Sequence, residues 1–128
     1  MERSRNMEII QELSKNQFKA LACLEENAVR LYFSGKMDDQ RPSSYMNPFL
    51  DAALEKAKAS RLNLFVDLSG LDYMNSAGIA PLARLIEQIE GGGTMRISLL
   101  FDGRKLWQDI IFNALSVMSS DRVEFNRV

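Results

Sequence analysis

The segment spanning residues 62–86 constrains the fold more than any other part of the sequence. Residues 62–68 are almost continuously apolar, which is typical of a central strand that is covered on at least one side. A short loop follows, and we expect a helix whose first turn begins at Ser76. A serine at a helix start either caps free backbone N–H groups or is available for phosphorylation at the positive end of the helix dipole. The segment therefore predicts a strand–loop–helix unit in which one serine has a structural or a regulatory role.

Two strands are predicted before this unit, over residues 17–24 and 28–34. The polar residues 25–27 form a compact turn between them, so the pair is expected to be a hairpin. The single cysteine, Cys23, lies in the first of these strands and is expected to be a small buried side chain. Residues 1–16 are charged and polar, and their apolar spacing predicts at most a short amphipathic helix.

A polar loop over residues 35–44 leads to the first long helix. Asn47 is its expected cap, and Pro48 its first helical residue. Helical spacing predicts a buried face made of Met46, Phe49, Leu50, Ala53, Leu54 and Ala57.

The second helix is predicted from about residue 77 to residue 90. Its apolar face is expected to contain Ile79, Leu82, Ala83, Ile86 and Ile89. Pro81 costs a hydrogen bond if Ser76 is the N-cap, so either the first turn is distorted or regular helix begins a few residues later. The Gly91-Gly92-Gly93-Thr94 run follows a helix and precedes a strand, which is the reverse of a phosphate-binding loop, so it is expected to be a turn.

The remaining elements complete an α/β fold. Met95, Ile97 and Leu99 alternate along a strand, and Asp102-Gly103 is expected to form a turn. The apolar face of a third helix is expected to comprise Leu106, Trp107, Ile110, Ile111, Ala114, Leu115 and Met118. Residues 123–125 predict a final strand. The predicted order is ββαβαβαβ, with helices packed on a mixed β-sheet in one domain.

Composition excludes several classes of function. The chain has 128 residues, a formal net charge of -1 and no histidine. The charge balance provides no basic field for nucleic acid, and the missing histidine removes the commonest general base and zinc ligand. No apolar run approaches the ~18 residues of a membrane span. We therefore expect a cytoplasmic, non-enzymatic protein without cofactor or metal, without direct nucleic-acid binding and without membrane insertion.

The run Asp67-Leu-Ser-Gly-Leu-Asp-Tyr-Met-Asn-Ser-Ala-Gly-Ile resembles the signature of the STAS domain of bacterial anti-sigma-factor antagonists. Ser76 matches the serine that a partner kinase phosphorylates in that family, and Gly78 matches the glycine after it. Asn75 replaces the usual Asp, and Ala77 replaces a common Ser or Thr. The resemblance implies a STAS fold over residues 17–128, with residues 1–16 as an N-terminal extension.

The resemblance also implies a docking site and its partners. The site would comprise Asn75, Ser76, Ala77 and Gly78, with Asp38 and Asp39 in a nearby loop. The partners would be an anti-sigma-factor serine kinase, released when Ser76 is phosphorylated, and a protein phosphatase that restores binding. Soluble STAS proteins also serve as accessory subunits of transporter ATPases, which is the alternative function.

Several of these residues also have structural interpretations that the sequence leaves open. Ser76 could only cap its helix. Gly78 could allow close approach of a partner or permit a distorted first turn. Asp67 and Asp72 are expected to have structural roles in turns rather than to bind a metal. The two loop aspartates, Asp38 and Asp39, could simply be solvated, and Trp107 is expected to pack in the core.

Overall fold

The computed structural model of the chain describes residues 7–118 and 120–128, which form a seven-stranded mixed sheet and three helices. The predicted α/β class is confirmed. The elements are β1 (Met7–Lys15), β2 (Phe18–Glu25), β3 (Ala28–Met37), α1 (Ser43–Ser60), β4 (Asn63–Asp67), β5 (Leu71–Met74), α2 (Ile79–Glu90), β6 (Ile97–Phe101), α3 (Leu106–Ser116) and β7 (Val123–Arg127).

The main sheet has the strand order β1-β2-β3-β4-β6-β7. Strands β1, β2 and β3 are antiparallel neighbours, whereas β3, β4, β6 and β7 run parallel. The short strand β5 pairs in parallel with the last residues of β3, beyond the point where β4 ends. This pairing brings the chain that follows β5 next to the chain that follows β3.

All three helices cover the same face of the sheet. Each crosses between neighbouring parallel strands in the same direction, and right-handed crossovers then place them on one side. Accordingly α1 contacts α2, and α2 contacts α3. The core between helices and sheet includes Phe18, Leu31, Phe49, Leu64, Leu82, Leu99 and Phe101. Cys23 is buried as predicted, in β2.

The predicted element order is present from β2 onward, with β5 added between β4 and α2. The expectation of a short helix in residues 1–16 is wrong for residues 7–15, which form β1; residues 1–6 lie outside the described residues. The register between β1 and β2 shifts between Ile9 and Gln11, which indicates a bulge at Ile10. Because a bulge interrupts strand alternation, Ile9, Ile10 and Leu13 had a spacing that suggested a helix.

Helix α1 begins earlier than the sequence indicated. Pro42 is its N-cap, Ser43 is its first residue, and Asn47 and Pro48 both lie inside it. The expectation that Asn47 caps this helix is therefore wrong. Pro48 cannot donate a backbone hydrogen bond to the carbonyl of Ser44, a cost that the helix tolerates. The predicted buried face is nevertheless confirmed, since all its residues are buried.

The buried face of helix α3 is not the one that the sequence predicted. Ile111 and Leu115 are buried as expected, but Leu106 is 75% exposed and Ile110 is 57% exposed. The third fully enclosed residue of this face is polar, Gln108. The predicted apolar face is therefore wrong at Leu106, Ile110 and the exposed Ala114.

Candidate functional site

Ser76 is exposed at the start of a short 3₁₀ turn, Ser76–Gly78, that leads directly into α2. The N-cap position belongs to Asn75 for the 3₁₀ turn and to Gly78 for α2. Regular helix thus begins a few residues after Ser76, which was one of the two arrangements expected from Pro81. As the third residue of α2, Pro81 lies among the first-turn residues whose N–H groups have no intrahelical partner, so it removes no bond there. Ser76 is therefore the N-cap of neither helix, and it is exposed to solvent.

The predicted partner-binding residues from two distant parts of the chain lie together. Met37 at the end of β3 is paired with Met74 at the end of β5. The backbone N–H of Asn75 donates to the carbonyl of Met37 over 2.9 Å. The side-chain amide of Asn75 then donates to the carbonyl of Asp39 over 2.8 Å, across 36 residues of sequence. The Asp39 loop is therefore attached to the Ser76 turn.

The carboxylate of Asp39 is occupied by contacts within the protein. It accepts a hydrogen bond from the Tyr45 hydroxyl at 2.8 Å and another from the Asn16 amide at 3.3 Å. Burial and then the hydrogen bond to Asp39 raise the pKa of Tyr45 above its usual value. Asp39 thus joins the β1–β2 turn, α1 and the Ser76 turn, whereas the neighbouring Asp38 is exposed.

Gly78 is buried, and its role is set by packing below the surface. A Cβ at this position would lie 2.6 Å from Cγ of Met74 and 3.1 Å from Sδ of Met37. A side chain at this position would therefore require the Met74 and Met37 side chains to shift. Ala77 is half-buried beside Ser76, so the accessible part of the predicted motif is centred on the serine.

Asp67 has the structural turn role expected for it. One oxygen of its carboxylate accepts hydrogen bonds from the backbone N–H of Ser69, at 2.9 Å, and from the Ser69 hydroxyl, at 2.6 Å. This local bonding is a typical Asx turn and ends β4. Asp72 is exposed, and its backbone carbonyl accepts a hydrogen bond from the Trp107 indole at 2.8 Å.

The loop between β4 and β5 is held from beneath by the start of α3, a connection that sequence reasoning missed. The Lys105 ammonium donates to the carbonyls of Ser69 and Leu71, each at 3.0 Å. The buried Gln108 amide donates to Leu68 and Leu71 at 2.8 and 3.1 Å. A polar residue spaced with Ile111 and Leu115 on one helical face was the available signal for Gln108.

An exposed apolar patch lies on the outer side of this connection. It consists of Tyr73 and Trp107, whose rings meet edge to face at 6.2 Å, with the exposed Leu106 and Ile110 one helical turn apart on α3. Trp107 packs partly against the core, in agreement with its prediction. Tyr73 lies three residues before Ser76 in the sequence. Exposed apolar groups of this kind are typical of protein interaction surfaces.

A cleft of about 730 Å³ lies at the opposite end of α2 from Ser76. Its lining includes Lys58, Arg61, Ile89 and the glycine run after α2. The run is a helix-to-strand turn, as predicted. Residues at the C-terminal ends of both α1 and α2 line this cleft.

No family model matches the sequence, and no curated protein matches it. Within residues 7–118 and 120–128, no helix is long and apolar enough to cross a membrane.

Proposed function

We propose that the chain is a STAS-type regulator that resembles anti-sigma-factor antagonists and acts by binding a serine-kinase anti-sigma factor. The observation that carries this proposal is the exposed Ser76 on a strand–turn–helix unit whose motif resembles the family signature. In this proposal the protein has no enzymatic activity of its own and works in the cytoplasm. The kinase phosphorylates Ser76, and a protein phosphatase reverses the modification.

The charge change at Ser76 gives the switch its physical basis. A phosphate adds about -1.5 to -2 charges at neutral pH. Tyr73 is exposed three residues before Ser76, and the exposed Asp38 follows Met37, whose carbonyl accepts the Asn75 N–H. In this proposal a docked partner would have to desolvate a dianion close to a carboxylate and an aromatic ring. The same phosphate is tolerated in the free protein because Ser76 is exposed.

The test combines identification of the phosphate with a binding comparison. Phosphopeptide mass spectrometry of the native protein should locate phosphate on Ser76 when the partner kinase is active. The full chain should retain the kinase when it carries Ser76→Ala and lose affinity for it by about tenfold or more, equivalent to about 1.4 kcal/mol, when it carries Ser76→Asp. Thr94→Asp adds the same charge on an exposed loop at the other end of α2 and serves as the matched control.

Two results would contradict the proposal. One is a peptide spanning Ser76 that stays unmodified under conditions where the kinase is active. The other is equal affinity of Ser76→Asp and Thr94→Asp for the kinase. Recovery of a transporter ATPase as the specific partner of the Ser76 surface would instead favour the accessory-subunit function.

A further inference from the structure

One side-chain hydrogen bond joins the Ser76 turn to the Asp38–Asp39 loop, and it comes from Asn75. Among residues 7–118 and 120–128, no other side-chain hydrogen bond connects these two segments. Its Nδ2 donates to the Asp39 carbonyl, whereas its Oδ1 is buried and has no hydrogen-bond partner within those described residues. Position 75 therefore needs a hydrogen-bond donor that faces the loop, and it tolerates a neutral acceptor on the other side of the side chain.

An aspartate would not meet this requirement. At neutral pH its carboxylate has acceptors only and could not donate to the Asp39 carbonyl. It would also put charge on the buried oxygen to which no group of residues 7–118 and 120–128 donates, and burying an unpaired charge is far more costly than burying an amide oxygen. Asn75 and an aspartate have nearly the same shape, so the two differ here in bonding and charge rather than in packing.

We propose that Asn75 is a positioning residue: its amide holds the Asp38–Asp39 loop against the Ser76 turn, so that Asp38 and Ser76 belong to one preformed docking surface. The departure from the family's aspartate is then a change in how the surface is held together. The inference depends on the proposed function for the purpose of the surface, but the positioning itself is a property of the isolated chain.

Solution NMR of the full chain tests the positioning without a partner. In the unmodified protein, a scalar coupling across the hydrogen bond should join Nδ2 of Asn75 to the carbonyl carbon of Asp39. The backbone amides of Asp38 and Asp39 should have order parameters of about 0.85, as in rigid segments. In both Asn75→Ala and Asn75→Asp these order parameters should fall measurably, even though Tyr45 and Asn16 still bind the Asp39 carboxylate.

The isosteric variant separates positioning from simple packing. If Asn75 only fills space, Asn75→Asp should leave the loop as rigid as in the unmodified protein, and that result would overturn the proposal. Ser76→Ala changes the adjacent residue without touching the bond and should leave the order parameters unchanged. Should either Asn75 variant unfold, the coupling in the unmodified protein still decides, because its absence contradicts the bond. Neither measurement involves phosphate or kinase, so failure here and failure of the proposed function are distinguishable.

Discussion

At the scale of single residues, the Ser76 turn combines an exposed functional candidate with a buried packing constraint only two residues away. Gly78→Ala should lower the free energy of unfolding by about 1–3 kcal/mol, the usual cost of overpacking a core. The added carbon meets the side chains of Met74 and Met37, which are 3% and 1% exposed, so these side chains would have to repack inside the core. Urea unfolding measures the change.

The matched control for this substitution is Gly92→Ala. No heavy atom of the described chain lies within 4 Å of a Cβ added to Gly92, so its effect on stability should be small. Equal unfolding free energies for Gly78→Ala and Gly92→Ala would show that the methionines move aside and that packing does not select the glycine.

A second residue-scale prediction concerns acid stability. Side-chain hydrogen bonds from Arg104, followed by its backbone N–H, lower the pKa of Asp102 from 3.8 to about 2. Because the folded state favours the carboxylate, this contribution is complete above pH 4 or so and is lost as the pH falls towards about 2. As the pH falls from about 4 to about 2, the free energy of unfolding should therefore decrease less in Asp102→Asn than in the unmodified protein.

Urea unfolding at a series of pH values checks this difference. Asp72→Asn removes an exposed carboxylate near the same end of the sheet and should leave the acid dependence close to that of the unmodified protein. A profile for Asp102→Asn that runs parallel to the unmodified one would contradict the assigned role of Arg104.

At the scale of elements, local patterns predicted the buried face correctly in α1 but not in α3, where Leu106 and Ile110 are exposed. The apolar face of α1 was predictable because helical spacing reports the buried side wherever the helix begins, whereas its start was missed because Pro48 is tolerated inside it. The motif around Ser76 predicted a turn that leads into a helix, and the structure has this turn directly before α2. The bond from Asn75 to Asp39 could not be predicted, since it depends on the pairing of β5 with β3 and joins residues far apart in sequence.

The attachment of α3 to the β4–β5 loop provides an element-scale prediction. Gln108→Met keeps the side-chain volume but leaves the buried N–H of Asp102 without the Gln108 Oε1 that it donates to at 2.7 Å. An unsatisfied buried donor costs about 1–3 kcal/mol, and the free energy of unfolding should fall by that amount. Ile110→Ala, on the exposed side of α3, should change it by no more than about 0.5 kcal/mol.

Chemical denaturation of the two variants supplies the comparison. Hydrogen exchange at the Asp102 backbone amide provides a local comparison, since this N–H should lose its protection in Gln108→Met. If Gln108→Met proves as stable as Ile110→Ala and keeps that protection, then α3 is held to the loop by packing alone, and the buried glutamine is dispensable.

At the scale of the whole molecule, β1 determines how the sheet ends. It pairs with β2 from Met7 opposite Glu25 to Lys15 opposite Phe18, so β2 is an interior strand. Ile10 and Leu13 pack against the core, and Lys56 of α1 lies 3.7 Å from Glu8 of β1. Residues 7–15 therefore share the sheet and core with the rest of the chain, although the STAS resemblance covers only residues 17–128.

Deletion of residues 1–15 tests whether that core can fold without β1. The free energy of unfolding should fall by about 3 kcal/mol or more, because two partly buried apolar side chains and a strand pairing are lost together. The exposed backbone of β2 should also increase self-association, since an unprotected edge strand can pair with another molecule. Deletion of residues 1–6 leaves β1 in place and provides the control. Urea unfolding and size-exclusion chromatography at matched concentration distinguish the two outcomes. If the longer deletion unfolds and elutes like the shorter one, residues 16–128 fold independently and β1 is an accessory strand.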